Sequence, residues 1–374
     1  MKHLLLLGAG HAHVHVLSRL AQAAKRAPLP FRVTLVAPYP QQVYSGMLPG
    51  HVAGHYSLQQ CTIELGERLQ ASGVQYLPGR GRHIDAARNI VVVGPKDMGQ
   101  SLQYDLLSVN TGPVLDRASV EHLMPGAKAH ALFLRPIEAF SPLWERLLQL
   151  AAKRALHIAV IGAGAAGVEL AFAIRHRLGH CAVTLVCAGA TPLANYPEGV
   201  RERVLPLLKA RGITVLPQAC TAISADHIVL DGVTRMACDA PILALGAQAP
   251  SWLGASGLAL DPAGFIAVNA FAQSTSHPMV FAAGDVATRV DAPHPKSGVY
   301  AVRAAPALAT NLLAALSGLP LLPHTPPATT LNLLACGARY AVASRGQWSA
   351  QGRWIWYWKD WIDRRFMARA CRPG

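Results

Sequence analysis

Two glycine clusters carry the clearest chemistry in this sequence. Gly8-Ala9-Gly10-His11-Ala12-His13 and Gly162-Ala163-Gly164-Ala165-Ala166-Gly167 lie about 150 residues apart, and each follows a short apolar run and precedes a helical pattern. In that setting the first glycine permits a tight turn and the second lets backbone approach a pyrophosphate. The helix start then offers free N–H groups and a positive dipole end. One such cluster is weak evidence; two in the same context are much stronger. His13 stands where the first cluster should have its third glycine. A helix packed tightly on its strand tolerates Ala there better than His, so packing around His13 is expected to open. The second cluster is complete and runs on to Glu169.

Other candidate groups resolve less well. His11, His13 and His15 alternate, and His11 and His15 would lie one helical turn apart, as metal ligands can. No Cys, Asp or Glu completes such a set, so no metal is assigned and His11 is placed near a pyrophosphate instead. The seven cysteines are odd in number and scattered, without a CxxC, which points to a reducing compartment and to buried thiols. Neither second strand of the two units ends in the ribose-binding acid of dinucleotide folds: the ends read Leu35-Val36-Ala37-Pro38 and Leu185-Val186-Cys187-Ala188. Backbone groups, such as those of Ala37, are left to bind adenosine there.

The elements that must position these groups follow from periodicity. Leu4 to Leu7 reads as a buried strand, Val14 to Ala24 as a helix with Val14, Leu17, Leu20 and Ala21 on one face, and Phe31 to Val36 as a second strand. His157 to Ile161, Val168 to Arg177 and Ala182 to Val186 repeat that order. The expected fold is α/β with two Rossmann-like units. Composition agrees: 374 residues, 52% hydrophobic and only 14% charged, exclude a disordered chain and a heptad coiled coil. The net charge of +14 suggests an acidic partner or surface, but no nucleic-acid motif accompanies it. The apolar run after Met1-Lys2-His3 ends at Gly8, too early for a signal peptide. The longest apolar stretch, Ala304 to Leu322, is interrupted by Pro306, Asn311 and Pro320. The expectation is a cytoplasmic protein, peripheral on the inner face of the cytoplasmic membrane at most.

Three further segments carry a resemblance. Tyr104-Asp105-Leu106-Leu107-Ser108-Val109-Asn110-Thr111-Gly112 and Asp239-Ala240-Pro241-Ile242-Leu243-Ala244-Leu245-Gly246 resemble the strands that close the two nucleotide domains of two-dinucleotide flavoproteins. His277 to Val286, with Gly284-Asp285, resembles the second FAD motif of the pyridine nucleotide-disulfide oxidoreductase superfamily. Lacking a redox dithiol, the chain looks closer to type II NADH dehydrogenases and sulfide:quinone reductases. Gly10-His11-Ala12-His13-Val14, Tyr44 to Gly50 and Pro295 to Tyr300 resemble a subfamily whose members are sometimes fused to selenide, water dikinase.

The resemblance implies a glutathione reductase-like fold, with an NAD(P)-type domain inserted in the FAD domain and a C-terminal segment of helix and strand. The implied division is 1–115 and 256–322 for FAD, 116–255 for NAD(P), and 323–374 for the C-terminal segment. It implies FAD held by Gly8, Gly10, His11, Ala12, Ala37, Ser45, Pro49, Thr111, Gly112, Gly284, Asp285 and Lys296, and NAD(P)H held by Gly162, Gly164 and Gly167. Lys296 and Tyr300 would stand near the flavin ring as catalytic groups. Glu169 would either neighbour the nicotinamide or cap its own helix. Two electrons would pass from NAD(P)H through FAD to a quinone-type acceptor. The alternatives are a sulfur or selenium donor, with Cys336 and Cys61 as candidate thiols, or a non-catalytic basic membrane-surface protein on the same fold.

The tail has its own character. From Arg339 to Gly374 eight Lys or Arg face two Asp, and five of the seven tryptophans lie there. Arg353 to Ala370 patterns as an amphipathic helix with Trp354, Tyr357, Trp358, Trp361 and Ile362 recurring at helical spacing. Such a helix suits a membrane interface, or else packs on the flavin domain or on a second copy in a homodimer.

Overall fold

The structure, a computed structural model, describes residues 1–94, 99–189, 191–246 and 248–371; Arg372 of the basic tail lies outside them. Two five-stranded parallel sheets frame it. The first is ordered Val280–Ala282, Leu106–Val109, His3–Leu7, Arg32–Ala37, Gln75–Pro78. The second is ordered Leu132–Phe133, Ala240–Leu243, His157–Ile161, Ala182–Val186, Ile213–Leu216. The second sheet falls, in sequence, between two strands of the first, so one α/β unit is inserted in the other. The central strands are continuous apolar runs because both faces are covered: Leu4, Leu5 and Leu6 are fully buried.

Each unit crosses from its first strand to its second through the helix that follows the glycines, His11–Ala24 in the first and Ala165–Arg177 in the second. Both begin earlier than the apolar periodicity predicts, because the helix starts at the glycine turn itself. Each unit then inserts a three-stranded antiparallel meander, Gly81–Asp85, Ile90–Val93 and Gln100–Gln103 in one, Cys220–Ile223, His227–Leu230 and Thr234–Ala237 in the other.

A long helix, Gly298–Ser317, packs along His11–Ala24. Among the described residues it alone is long and apolar enough to cross a membrane. Its Asn311 is buried, however, and tied to the carbonyls of Phe271 and Leu322 and to the Leu322 amide. Such fixation suits a core helix.

The chain ends in an antiparallel sheet, Asn332–Ala335, Ala341–Arg345 and Trp348–Gly352, and the helix Arg353–Ala370. That helix has two faces. Ile355, Trp356, Lys359, Asp363 and Met367 are buried, whereas Trp354, Tyr357, Trp358 and Trp361 are exposed. The aromatic stripe legible in the sequence is therefore the outer one.

Candidate functional site

The first glycine turn is closed by Asn110. Gly8 has φ +91°, and a Cβ on it would lie 2.6 Å from the Asn110 carbonyl; one on Gly10 would collide with the Asn110 side chain. The Asn110 Oδ1 accepts from the amides of Ala12 (3.1 Å) and His13 (3.3 Å), and its Nδ2 donates to the Ala283 carbonyl (2.6 Å). One amide side chain thus caps the helix start, which has no capping side chain of its own, and ties it to the strand end ahead of Gly284-Asp285. Thr111 and Gly112 follow, with Thr111 against Gly8 and Gly112 at φ +69°.

His13 corrects the sequence expectation. Packing around it does not open: the ring is fully buried, Nδ1 donates to the Gly8 carbonyl (2.5 Å), and Nε2 accepts from Ser108 Oγ (2.8 Å). Burial holds its pKa down at about 4, so it is neutral, and it fastens the turn where a third glycine would only have fitted against it. His11 lies edge-on to Tyr44 and against Phe366 of the C-terminal helix. With its amide turned to satisfy both ends, Gln42 accepts from the His11 amide (3.1 Å) and Nδ1 (3.0 Å) and donates to the Ala9 carbonyl. The other ring nitrogen of His11, Nε2, is buried without a partner among the described residues.

The remaining first-unit candidates converge from several directions. The Ala37 carbonyl accepts from Tyr76 and from the Gly79 amide, so it is already engaged. Ser45 opens a short 3-10 turn, Ser45–Met47, and buried Pro49 starts the helix Leu48–Val52. Gly284 has φ +75°, and a Cβ there would crowd the Asn110 amide. Burial pushes the half-buried Asp285 carboxyl up, while Arg135, Lys296 and His294 pull it down. Lys296 is less free than expected. Its Nζ donates to the Ala287 carbonyl (2.5 Å) and Thr288 Oγ1 (2.6 Å), and stands 4.0 Å over the Phe265 ring. Tyr300 is buried and stacks on His294 at 4.0 Å.

The second unit repeats the turn with less closure. Gly162 has φ +113°, and its Cβ would meet the Ala244 carbonyl at 2.5 Å; a Cβ on Gly167 would collide with the Gly162 carbonyl. Gly164 borders open space. Among the described residues the amides of Ala165, Ala166 and Gly167 have no partner. Three N–H groups at a helix start, beside a glycine with room in front of it, form an anion site.

Glu169 departs from one of its two readings. Its Oε1 accepts from the Ala335 amide of the C-terminal sheet (2.8 Å), so it does not cap its own helix. Burial raises its pKa to about 7, with Lys359 pulling the other way. Lys359 and Asp363 form a buried pair (2.6 Å). The Lys359 Nζ also donates to the Gly46 carbonyl (2.7 Å), and Tyr44 OH donates to Asp363 (3.1 Å). The turn holding Ser45 and the C-terminal helix are thereby locked together. The thiols of Cys61 and Cys336 are buried, with Cys61 pushed up to about 12 and Cys336 higher, so neither is a ready nucleophile.

Sequence reasoning missed Asn110, Gln42, Arg135 and the Lys359–Asp363 pair. Asn110 had a signal, standing directly before Thr111-Gly112. Arg135, which acts electrostatically on both His11 and Asp285, had none. An orphaned ring nitrogen in the first turn and three open amides in the second fit ligands that carry sugar hydroxyls and a pyrophosphate, as FAD and NAD(P)H do.

Comparison with known proteins agrees with this geometry. Residues 2–305 match the family model described as pyridine nucleotide-disulphide oxidoreductase. Demethylphylloquinone reductase NdbB of Synechocystis is 27% identical over 85% of this chain and 80% of its own. Oxidoreductase ptaL of Pestalotiopsis fici is 25% identical over 94% of each. In fold, the chain is similar to the sulfide:quinone oxidoreductase of Aquifex aeolicus (TM-score 0.78, 17% identity, 100% of this chain and 92% of that one). It is equally similar to NDH2 from Plasmodium falciparum in complex with NADH (TM-score 0.78, 13% identity, 99% and 97%). The chain therefore belongs to the pyridine nucleotide-disulphide oxidoreductase family, and it is an oxidoreductase with FAD as cofactor and NAD(P)H as co-substrate.

Proposed function

We propose that the protein passes two electrons from NAD(P)H, through FAD in its first unit, to a quinone-type acceptor at a membrane surface. We assign residues 1–115 and 256–322 to the FAD unit, 116–255 to the NAD(P)H unit and 323–374 to the acceptor side. The observation that carries the reading is the open helix start at Ala165, with Glu169 one turn further on. Bound FAD supplies the redox chemistry, so the protein's part is binding, orientation and proton supply.

Each element of the chain has a definite task in this account. Gly164 and the amides of Ala165 to Gly167 take the pyrophosphate of NAD(P)H. Asn110 and His13 hold the first turn in shape, and Arg135 adds a positive charge near His11 and Asp285. The helix Gly298–Ser317, behind its Ser297 cap, directs its positive end at the flavin side. Glu169, poised near neutral pH, holds a proton that quinone reduction consumes. The quinone reading draws on the Synechocystis relative, whose name states that it reduces demethylphylloquinone. The membrane reading draws on the exposed Trp354, Trp358 and Trp361 of a basic helix.

A second reading keeps FAD but takes a different donor, and the absence of a ribose acid after Val186 favours it. The high thiol pKa values argue against a route through Cys336 and Cys61. Rapid mixing of NADH or NADPH with the anaerobic protein, followed by a water-soluble benzoquinone, tests the proposal. Flavin bleaching by nucleotide and recovery on quinone are expected. Bleaching by sulfide alone would favour the second reading.

A further inference from the structure

A cleft of about 460 Å³ opens at the C-terminal end of the molecule, lined by Arg303, Thr329, Leu331, Arg345, Trp348 and Trp358. Four parts of the chain meet there: the core helix, the stretch leading into the terminal sheet, that sheet's last hairpin, and the terminal helix. Two guanidiniums face one space, and no acid lines it. Neither the Arg303 nor the Arg345 guanidinium has a hydrogen-bond or ion-pair partner among the described residues. Three nearby arginines are occupied: Arg364 pairs with Asp360, Arg203 donates to Ser349, and Arg339 lies over the Trp356 ring. The cleft therefore gathers two guanidiniums that are left for something outside the chain.

The rim narrows the identity of that partner. Trp348 and Trp358 are 49% and 37% exposed, and Trp354 and Trp361, on the same helix as Trp358, are each 56% exposed. A soluble anion would satisfy the arginines and leave these indoles in water. A bilayer surface satisfies both, since indoles favour the headgroup level and a guanidinium fork matches two oxygens of a phosphate.

We propose that this cleft binds the phosphodiester headgroup of an anionic phospholipid, with Arg303 and Arg345 on the phosphate and Trp348 and Trp358 beside the glycerol. The proposal rests on the membrane-surface reading for where the protein sits, and not on the identity of its donor or acceptor.

The test compares the flavin-loaded full chain with R303Q/R345Q and with R26Q/R235Q, which removes the same charge from exposed positions elsewhere. Sedimentation with vesicles of phosphatidylcholine, with and without phosphatidylglycerol, gives one arm. Tryptophan fluorescence during titration with monomeric dihexanoyl-phosphatidylglycerol, or with inorganic phosphate, gives the other. Wild type and R26Q/R235Q should prefer phosphatidylglycerol vesicles, and R303Q/R345Q should lose roughly tenfold or more of that preference. The short-chain lipid should give a saturable change in wild type that R303Q/R345Q lacks. Equal vesicle binding and equal titrations by wild type and R303Q/R345Q would overturn the site while leaving the membrane reading intact. A saturable, arginine-dependent titration without any vesicle binding would uphold the site and sink the membrane reading. An equal response to inorganic phosphate would overturn the assignment to lipid. Unchanged flavin absorbance and melting temperature establish that the variants are folded.

Discussion

The two units share the order of four of their five strands, the crossover helix and the meander, yet they finish the helix start in opposite ways. In the first, Asn110 takes the amides of Ala12 and His13, Gln42 takes that of His11, and Tyr44 and Phe366 close over the His11 ring. In the second, the equivalent amides of Ala165, Ala166 and Gly167 stay open, and Gly164 faces space. A turn held from several sides suits a cofactor that stays. An open anion site suits a co-substrate that must leave each cycle. The same motif is thus specialised by the residues brought against it rather than by its glycines.

The sharpest way to break this contrast is at Gly167. A β-carbon there collides with the Gly162 carbonyl, which is backbone and cannot swing away. Gly167→Val is expected to lower the rate of flavin reduction by NAD(P)H at least a hundredfold, on the order of 3 kcal/mol, while flavin content stays at the wild-type level. Loss of flavin together with reactivity would mean that the units are not separable.

Stability, rather than rate, is where the lock that closes the first unit is read. Lys359→Met leaves Asp363 buried without its cation, and removing one partner of a buried pair costs about 3–5 kcal/mol. A lower melting temperature and faster flavin release are expected, because the turn at Ser45 loses its tie to the terminal helix. The double substitution with Asp363→Leu should recover part of that loss.

Asn110→Leu tests the hub itself. It strands the Ala12 and His13 amides and the Ala283 carbonyl, each unmet group costing about 1–3 kcal/mol. Flavin affinity, measured by equilibrium dialysis, should fall at least tenfold, with reduced-nicotinamide binding nearly unchanged.

Glu169→Gln produces the smallest effect on stability, and that effect is visible only as a function of pH. A carboxyl raised from its ordinary value of about 4.5 to about 7 is preferred in its neutral form. Stability therefore falls as pH rises through that window, and the Gln variant should gain on wild type at pH 8 but not at pH 5. Quinone reduction by wild type should slow as pH passes 7, and by the variant should be slow and flat. Chemical denaturation and single-turnover kinetics across pH read the two outcomes.

Much of this was legible in the sequence, and particular residues show why. The runs Leu4 to Leu7 and His157 to Ile161 could only be covered strands, and the terminal helix spans Arg353–Ala370 as its spacing predicts. Glycine positions mark local backbone needs, so both turns could be read directly. The two meanders could not: strands such as Gln100–Gln103, with one apolar residue in four, and Thr234–Ala237, without apolar alternation, depend on neighbours for pairing. His13 was misread because a glycine rule describes available space, whereas a histidine can replace space with two hydrogen bonds. Glu169 was ambiguous because its partner, the Ala335 amide, lies 166 residues away. Arg135 and Lys359 act across the tertiary fold, and no local pattern announces such contacts.

The measurement that bears most directly on the central claim is anaerobic titration of the extensively dialysed protein with NADH and with NADPH, followed by its absorbance. Flavin is expected to survive dialysis and to bleach with one equivalent of at least one nucleotide, and the oxidised nucleotide then to wash out freely. A dialysed protein that has lost its flavin, or whose flavin neither nucleotide bleaches, would contradict that claim.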